Sequence, residues 1–570
     1  MLGLQLIDWL VIIVYLAVIT LIGVRAAKKV RSAASFFIGD RKFGKVMMSF
    51  FMFGSGTHSE QAVGVAAKTY HSGASGIWYQ WLWLLVTPFF WVIAPFFRRM
   101  RAVTTGDYFE VRYGRSVSGL YAAMGIFQLL VAIGVMLKGS GALVEAVSGG
   151  AITSNLAIIV MTVIFVIYGV AGGLSAAIAT NLIQGLLTVV LSFIILPFAL
   201  NEVGGMSGLR ESVSDPAMLS LVAPGEITFF FITIIAFNAL VAWVAMPETM
   251  ANCAAGKTEM EGRMGVTVGI FGKRVCTIAW MLTGLCAVTL YAAGELENVD
   301  LVYGQMARDL LPRIGPGLIG LFIASMLASV MSTCDSLMVV ASGLFTENIY
   351  KRFLVLGKAD KHYTFVGRIA SVLIVLCSIY FAFNLRSVVQ GLEIFWEISA
   401  VMGVAFWVGL FWRRATVAGA WAGSLANLGA LIFTSKISFG NFVVWDFNAN
   451  LAQKLPAFML WDNELYLPWK MIIYLSIGFA VLIVVSLFTR RVAAENLDRL
   501  YACLRTPIGP DEPETEPFTL PAGVEPAPRK ALVRHPDFEI PVPTLVGVVG
   551  FVAAWIGVAL LIGTVYWIIG

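Results

Sequence analysis

Apolar segments of about 20 residues dominate the chain, and each is long enough to cross a bilayer as a helix. Only 13% of the 570 residues are charged, whereas soluble proteins have about 25%. The pattern predicts an all-α polytopic membrane protein with about 14 transmembrane helices. The predicted spans are 4–24, 45–66, 76–97, 117–146, 151–170, 175–200, 227–247, 265–292, 315–345, 366–385, 392–412, 415–435, 468–489 and 543–569.

The distribution of charge predicts the orientation of these spans. Asp8 lies near the start of the first apolar run and Arg25 follows it, which is the reverse of the charge order of a signal peptide. With the N-terminus outside, most of the 39 Lys and Arg residues fall in cytoplasmic segments or the adjoining helix ends. We therefore predict a multi-pass protein of the cell membrane with both termini outside. Lys138 is the one cation that this assignment leaves within a span.

The polar residues divide the chain into three parts. Residues 1–489 form the predicted membrane domain. Residues 490–542 are rich in Pro and Glu, which predicts an extended or disordered cytoplasmic linker. Residues 543–570 hold the last span. The linker is too short for a catalytic domain, and the net charge of +5 needs no nucleic acid to explain it.

The span at 315–345 carries hydroxyls and a carboxylate in its middle, at Ser329, Ser332, Thr333, Asp335 and Ser336. Polar oxygens are costly in hydrocarbon unless they have a partner. This face therefore suggests a small hard cation as the bound species. The alternative is a set of hydrogen bonds between helices, because Ser and Thr commonly join membrane helices. Asp335 favours a functional role, since a buried ionisable group at mid-membrane is usually functional.

The second span contains two glycines in its middle, Gly54 and Gly56, followed by a polar run that ends at Gln61. Glycine weakens a helix interior. An interrupted helix frees carbonyls that bind Na⁺ and exposes half-helix ends that orient a solute. The alternative is a close helix crossing, but the polar run is more than packing requires.

Four separated segments resemble the sodium:solute symporter family, which includes sodium–proline, sodium–glucose and sodium–sialic acid symporters. They are SFFIGDRKF at 35–43 running into SEQAVG at 59–64, YGVAGGLSAAIATNLIQ at 168–184, MSTCDS with LFTENIYK within 331–351, and GLFWRRATVAGAWAG at 409–423. The resemblance implies a LeuT-type fold. That fold has two inverted five-helix repeats, here at about 45–200 and 227–412, with one extra N-terminal helix and additional C-terminal helices.

The resemblance also implies an Na⁺ site between the first and eighth core helices. The matching ligands are the carbonyls of Gly54, Thr57 and Ser329 and the side chains of Ser332 and Thr333.

Some family members bind a second Na⁺ through an aspartate on the fifth core helix. Asn181 stands at that position here, and Asp335 and Ser336 lie on the eighth. A second ion held by Asn181, Asp335 and Ser336 is one hypothesis. A protonated or hydrogen-bonded Asp335 that stabilises the helix contact is the alternative.

Solute-binding positions carried over from the family are less specific, because Gln80 and Trp83 replace residues that sugar transporters use. Lys138 is a candidate partner for an anionic solute, or else it snorkels outward or pairs with Glu145. Glu393 and Glu397 form an outer gate or a solvated helix entrance. The predicted solute-binding residues are Gly56, His58, Glu60, Gln61, Gln80, Trp83, Lys138 and Asn238.

These features together predict a secondary active transporter and not an enzyme. It moves a small polar organic solute (sugar-like, organic anion or amino-acid-like) into the cell with Na⁺ by alternating access. One alternative is proton coupling through His58, Glu60 or Asp335. Another is a membrane sensor that binds solute without transporting it. The expected partners are the solute and the lipid bilayer.

Overall fold

The computed structural model describes residues 3–27, 44–54, 56–102, 104–223, 225–292, 295–439, 442–509, 512–513 and 515–570. The side chains of 23–27, 167–182, 251, 332, 438–439 and 442 lie outside this description. So does the whole of the segment 35–43 that contributes to the family resemblance.

Helices make up most of the chain, as the apolar segments predict. The first half contains α1 (Leu6–Ala27), α2 (Lys45–Gly54), α3 (Ser59–Ser72), α4 (Trp78–Arg99), α5 (Thr105–Tyr113), α6 (Arg115–Val147), α7 (Ser154–Phe193), α8 (Leu196–Glu202), α9 (Gly205–Ser212), α10 (Phe229–Trp243), α11 (Pro247–Ala254) and α12 (Glu259–Leu290). The second half contains α13 (Val302–Leu310), α14 (Leu318–Gly343), a π-helix (Leu344–Leu354), α15 (Asp360–Asn384), α16 (Val388–Ser399), α17 (Gly403–Phe411), α18 (Val417–Phe433), α19 (Phe447–Leu451), α20 (Leu467–Phe488), α21 (Ala494–Arg505) and α22 (Leu545–Ile569).

Short elements connect the helices. The 3₁₀ turns are Gly73–Ile77, Pro216–Leu219, Val299–Leu301, Leu311–Arg313, Ala452–Lys454 and Ala457–Met459. Strands β1 (Lys436–Phe439) and β2 (Phe442–Asp446) form one antiparallel hairpin, and β3 (Leu460–Trp461) and β4 (Glu464–Leu465) form another. Both hairpins lie between α18 and α20, where the loop is predicted to be outside.

In the described part of the chain, nine helices are long and apolar enough to cross a membrane, or ten if one bent pair is counted as a single span. The predicted total of about 14 therefore remains a prediction. One difference is specific. The spans predicted at 151–170 and 175–200, with a loop at 171–174, coincide with the single helix α7, which runs for 40 residues. The predicted loop contains Gly172 and Gly173, but the helix continues through them.

The helices pack in two groups that meet at the centre of the protein. In one group α12 packs against α2, α3 and α4, and in the other α14 packs against α6 and α7. Burial separates central from peripheral helices. In the most apolar window of the Leu318–Leu354 span 88% of residues are buried, against 17% in that of α22. A helix that is apolar all round and little buried by protein is suited to face lipid.

The first broken helix consists of α2 and α3. Helix α2 ends at Gly54, Thr57 and His58 lie outside helix, and α3 begins at Ser59. His58 has extended backbone angles (φ −132°, ψ 160°), so it cannot continue the helix. The interruption predicted from the glycine pair is therefore present. Because the last carbonyls of a helix lack intrahelical partners, this break exposes backbone oxygens near the middle of the span.

The second broken helix consists of α10 and α11, which are bent by 67°. Proline favours the first position of a helix and disfavours its interior, so Pro247 starts α11 rather than extending α10. The Thr249 hydroxyl donates to the Trp243 carbonyl over 2.7 Å and satisfies one end of the break. The first span of each predicted repeat is thus discontinuous. The sequence prediction identified only the first break.

The segment 490–542 packs against the membrane domain. It begins with α21, whose Tyr501 hydroxyl donates to the Gly409 carbonyl over 2.7 Å. Further on, Phe518 is fully buried and its N–H donates to the Met100 carbonyl over 2.9 Å. A linker predicted to be extended or disordered is therefore, in its described residues, a helix followed by an irregular segment held by hydrogen bonds.

A candidate ion and solute site at two helix breaks

A cavity of about 220 Å³ lies where the two broken helices face α4, α6, α12, α14 and α16. It brings together most of the residues predicted to bind solute. Six aromatic side chains form much of its wall: Phe51, Trp83, Phe90, Trp243, Phe395 and Trp396. The predicted residues that line it are Gly56, His58, Glu60, Gln61, Gln80, Trp83, Thr333 and Ser336.

The predicted Na⁺ site lies beside this cavity. Thr57, Ser329 and Thr333 are all buried. The Thr57 hydroxyl donates to the Phe53 carbonyl over 2.9 Å, which uses its proton and leaves the lone pairs of its oxygen for another partner. The carbonyl of Gly54 lies at the end of α2, where helical partners are lacking. The side chain of Ser332 lies outside the described residues.

His58 joins the two sides of the predicted ion site. Its Nδ1 atom is 3.2 Å from the Thr333 hydroxyl oxygen on α14. The imidazole also lies close to the backbone carbonyls of Thr57 and Ser329. Three predicted Na⁺ ligands therefore surround one side chain in this conformation. An ion that takes all three oxygens has to displace the ring from at least part of this position.

A second polar contact holds α3, the second half of the first broken helix, against α6. The Ser59 and Ser140 hydroxyls are 3.0 Å apart and buried, and they join α3 to α6. A Cβ atom at Gly139 would lie 2.6 Å from the Cα of Glu60, so the two helices touch through backbone. The Gln61 amide donates to the Gly56 carbonyl over 3.1 Å and occupies one carbonyl of the break.

Asp335 is buried in α14, and among the described residues neither of its carboxylate oxygens has a hydrogen-bond partner. Gln184 on α7 is likewise buried, with both amide atoms lacking such a partner. Helices α7 and α14 pack against each other. The side chain of Asn181 lies outside the description, while Ser336 lines the cavity. Gln184 was not predicted as a site residue, although it ends the motif that supplied Asn181.

Asn238 does not reach the cavity. Its amide nitrogen donates to the Trp396 carbonyl over 2.9 Å, and its amide oxygen accepts from the Tyr474 hydroxyl over 2.6 Å. Both ends of the side chain are thus used to join α10 to α16 and α20. The family resemblance placed Asn238 in a solute site, whereas its contacts here join helices.

Lys138 also lies away from the cavity lining. Its charge acts instead on Asp300, in the 3₁₀ turn Val299–Leu301 outside the spans. Glu145, the other partner considered for Lys138, accepts a hydrogen bond from the backbone N–H of Ser154 over 3.0 Å. The carboxylate of Asp300 accepts the N–H of Val388 over 2.9 Å and so connects this turn to the start of α16.

The sequence prediction missed three charged residues that line the cavity. Glu248, Lys273 and Arg274 all line it. Lys273 and Arg274 lie well inside α12, whereas the charge count had assigned them to a cytoplasmic helix end. Arg274 donates to the backbone carbonyl of Gln80 and, over 3.3 Å, to its side-chain oxygen. Two adjacent cations eight residues inside a predicted span were the signal that could have identified them.

Several contacts between helices lie at the predicted outer end of the protein. The Tyr79 hydroxyl donates to Glu393 over 2.6 Å, and Lys470 forms an ion pair with Glu397 at 2.7 Å. Lys68 pairs with Glu226, joining the end of α3 to the loop before α10. Glu393 and Glu397 are therefore partnered within the protein, which fits a gate better than a solvated helix entrance.

The fold agrees with comparisons to known proteins. The model of the family described as "Sodium:solute symporter family" matches residues 36–427. The chain belongs to the sodium:solute symporter family. The match covers the segments at 59–64, 168–184, 331–351 and 409–423 that carry the resemblance. It also confirms the resemblance on which the Na⁺ assignment depends.

Relatives in the family transport different solutes. Sodium/glucose cotransporter 1 of Oryctolagus cuniculus is 25% identical over 551 residues, covering 87% of this chain and 81% of the relative. The high-affinity proline transporter PutP of Bacillus subtilis (strain 168) is 23% identical over 446 residues, covering 74% and 91%. Membership of the family therefore does not identify the solute.

A solved structure shows the same fold. A Na⁺-coupled sialic acid symporter in a substrate-bound outward-open state superposes with a TM-score of 0.68 at 17% identity, covering 86% of this chain and 99% of that one. At this identity the likeness establishes the architecture and not the solute. It confirms the LeuT-type fold that the sequence motifs predicted.

Proposed function

We propose that the protein carries a small polar organic solute into the cell together with Na⁺, with the ion bound between the first broken helix and α14. The observation that supports this best is that Thr57, Ser329 and Thr333 all lie next to the His58 side chain at the first helix break. Carbonyl and hydroxyl oxygens suit a small hard cation. Residues of the same helix break line the cavity, so ion and solute bind next to each other.

Coupling follows if both ligands favour the same conformation. An ion held by Gly54, Thr57 and Thr333 ties the first helix group to the second, because α2 and α3 belong to one group and α14 to the other. A solute in the adjoining cavity contacts the same break. Each ligand then raises the affinity for the other by stabilising a shared state. No covalent step is needed.

The closed outer end supports alternating access. Two contacts lie on the predicted outer side of the cavity, one between Tyr79 and Glu393 and one between Lys68 and Glu226. The cavity is lined toward the predicted inner side by Met52 and Asn252. We assign this conformation to the part of the cycle in which solute has left the outside. Binding from outside requires the Tyr79–Glu393 contact to open.

The second ion site remains part of the proposal. Asp335 and Gln184 are buried polar groups on two packed helices, and neither has a hydrogen-bond partner among the described residues. A cation between α7 and α14 compensates the charge of Asp335, whereas protonation removes that charge instead. An Asp335→Asn variant separates these cases. The number of Na⁺ ions moved per solute falls by one if Asp335 holds an ion, and stays unchanged otherwise.

Proteoliposomes containing the full chain test the function. A sodium gradient directed inward should drive accumulation of radiolabelled solutes drawn from a metabolite panel, and a potassium gradient should not. Accumulation that needs no Na⁺ and follows a proton gradient would favour proton coupling, for which the His58–Thr333 contact supplies a candidate. Solute binding to purified protein without accumulation under any gradient would favour the sensor.

A further inference from the structure

The charges in the cavity bear on the class of solute. Glu60, Glu248, Lys273 and Arg274 line it, two carboxylates and two cations. Arg274 is held by both oxygens of Gln80, so part of its hydrogen-bonding capacity is already used. Buried charges are costly unless they are paired or hydrogen-bonded. Glu60 and Glu248 each have a buried carboxylate oxygen without a hydrogen-bond partner among the described residues, and Glu248 is the one whose charge acts on Lys273. We therefore take Lys273 and Glu248 as the pair that meets the solute.

Lys273 projects from α12 to the first helix break. A Cβ atom at Gly56 would lie 1.5 Å from the Lys273 Nζ atom, so the ammonium group rests against the backbone of Gly56. Lys273 is buried, and among the described residues no carboxylate lies within ion-pair distance of it. The absence of a side chain at Gly56 makes the space in which this ammonium group sits.

Glu248 lies at the second helix break, in the first turn of α11. Its Oε2 atom is buried and has no hydrogen-bond partner among the described residues. Glu248 and Lys273 are close enough for each charge to act on the other, but within the described part of the chain they form no ion pair. Two opposite charges thus belong to different helix breaks and share one cavity.

We propose that the solute is a zwitterion whose carboxylate binds Lys273 and whose ammonium group binds Glu248. A zwitterion satisfies both charges at once. An anion satisfies Lys273 and is repelled by Glu248, a cation does the reverse, and a neutral sugar leaves both charges without a counter-ion. The aromatic wall takes the apolar part of the solute. Within this wall the ring centroids of Phe90 and Trp243 are 3.9 Å apart.

This inference rests on the proposed transport function but fails separately from it. The probes are two matched series and one neutral sugar. One series is L-proline, cyclopentanecarboxylate and L-prolinamide, and the other is L-phenylalanine, 3-phenylpropionate and L-phenylalaninamide. Within each series the second compound lacks the amino group and the third lacks the carboxylate. D-glucose is the neutral probe. Thermal shifts of the purified full chain are measured against probe concentration in NaCl and in KCl.

In NaCl, at least one zwitterion should stabilise the protein at a concentration roughly 10-fold or more below that of both matched compounds, since a charge-assisted hydrogen bond contributes about that factor. Glu248→Gln should weaken the zwitterion roughly 10-fold and strengthen the matched acid. Lys273→Met should weaken the zwitterion and shift the preference toward the amide. Glu297→Gln, which changes an exposed carboxylate outside the cavity, should alter none of these values.

Three results overturn the inference: no zwitterion stabilises the folded protein, D-glucose or a matched acid stabilises it best, or Glu248→Gln leaves the order of preference unchanged. A ligand preference that shifts toward the acid in Glu248→Gln and toward the amide in Lys273→Met cannot come from a loss of folding alone. Sodium-dependent stabilisation by an acid or by glucose would reject the zwitterion and retain Na⁺ coupling. Binding of a zwitterion equally well in KCl would reject Na⁺ coupling and retain the zwitterion.

Discussion

Replacing Thr333 by Val tests the ion site most directly. Valine keeps the β-branched shape of threonine in helix α14 and removes only the hydroxyl. That hydroxyl is one of two side-chain oxygens in the predicted ligand set, and it lies 3.2 Å from His58. The variant should fold, because the imidazole retains the nearby carbonyls of Thr57 and Ser329. The affected quantity is the affinity for Na⁺.

The size of the effect follows from the loss of one contact to a charged partner. Such a contact contributes about 1.5–3 kcal/mol. This corresponds to a rise of roughly 10- to 150-fold in the Na⁺ concentration at half-maximal uptake. The maximal rate at saturating Na⁺ should change little, since Thr333 is expected to bind the ion and not the solute. Thr333→Ser, which keeps the oxygen, should restore most of the affinity.

Initial uptake rates in proteoliposomes, measured from low to saturating NaCl, provide the assay. Ser325→Ala is the matched control, because Ser325 is buried in the same helix and donates only to the Leu321 carbonyl within it, over 2.8 Å. It should retain the wild-type Na⁺ dependence. If Thr333→Val transports normally with the same half-maximal Na⁺ concentration as the wild type, the ion does not bind at this helix break.

Three further predictions concern other sites. Gly56→Ala should abolish high-affinity solute binding, because the new methyl group displaces the ammonium end of Lys273. The melting temperature should change little, since that end of the side chain is flexible, and retained solute binding would contradict the prediction. Burial raises the pKa of Asp300 to about 6, although the N–H of Val388 and the charge of Lys138 both act to lower it. The protonated carboxyl therefore stabilises the folded protein most at low pH, and this stabilisation is lost as pH rises from about 4 to 6. Asp300→Asn should flatten the melting temperature over that interval, and an unchanged slope would exclude Asp300 as its source. Glu512→Gln should destabilise the protein by up to about 3–5 kcal/mol, because it removes the carboxylate that pairs with the buried Arg101 guanidinium. Arg101→Met in the same chain should recover part of the loss in denaturation measurements, and additive losses would show that the pair is not coupled.

Local composition predicted the fold well where one short pattern determines one feature. The Gly54–Gly56 pair weakens a helix by itself, so the first break was predictable without any tertiary information. The hydroxyls of α14 were predictable for a similar reason, since their polarity contrasts with the hydrocarbon around them. The second break had a weaker signal. Pro247 coincides with the end of the predicted span 227–247, where a proline is as consistent with the end of a helix as with a break.

Features that depend on distant contacts were not predictable in this way. The Pro- and Glu-rich segment after residue 490 has the composition of a disordered linker. In its described residues it packs against the membrane domain, where Arg101 and Met100, about 400 residues earlier, supply partners for Glu512 and Phe518. Asn238 illustrates the same limit. The family resemblance placed it in the solute site, whereas Trp396 and Tyr474 already satisfy both ends of its amide.

The cations of α12 show why counting charges by position gives the wrong assignment for them. Lys273 lies eight residues beyond the predicted start of its span at 265, about 12 Å deeper along a helix. A lysine side chain of roughly 6 Å cannot carry its charge back to the interface from that depth. The charge must therefore be compensated inside the protein, and the described residues offer Glu248 across the cavity rather than a direct ion pair. A solute that carries both charges completes this arrangement, and Lys273→Met paired with Glu248→Gln should then lose the preference for zwitterions altogether in the same thermal-shift assay.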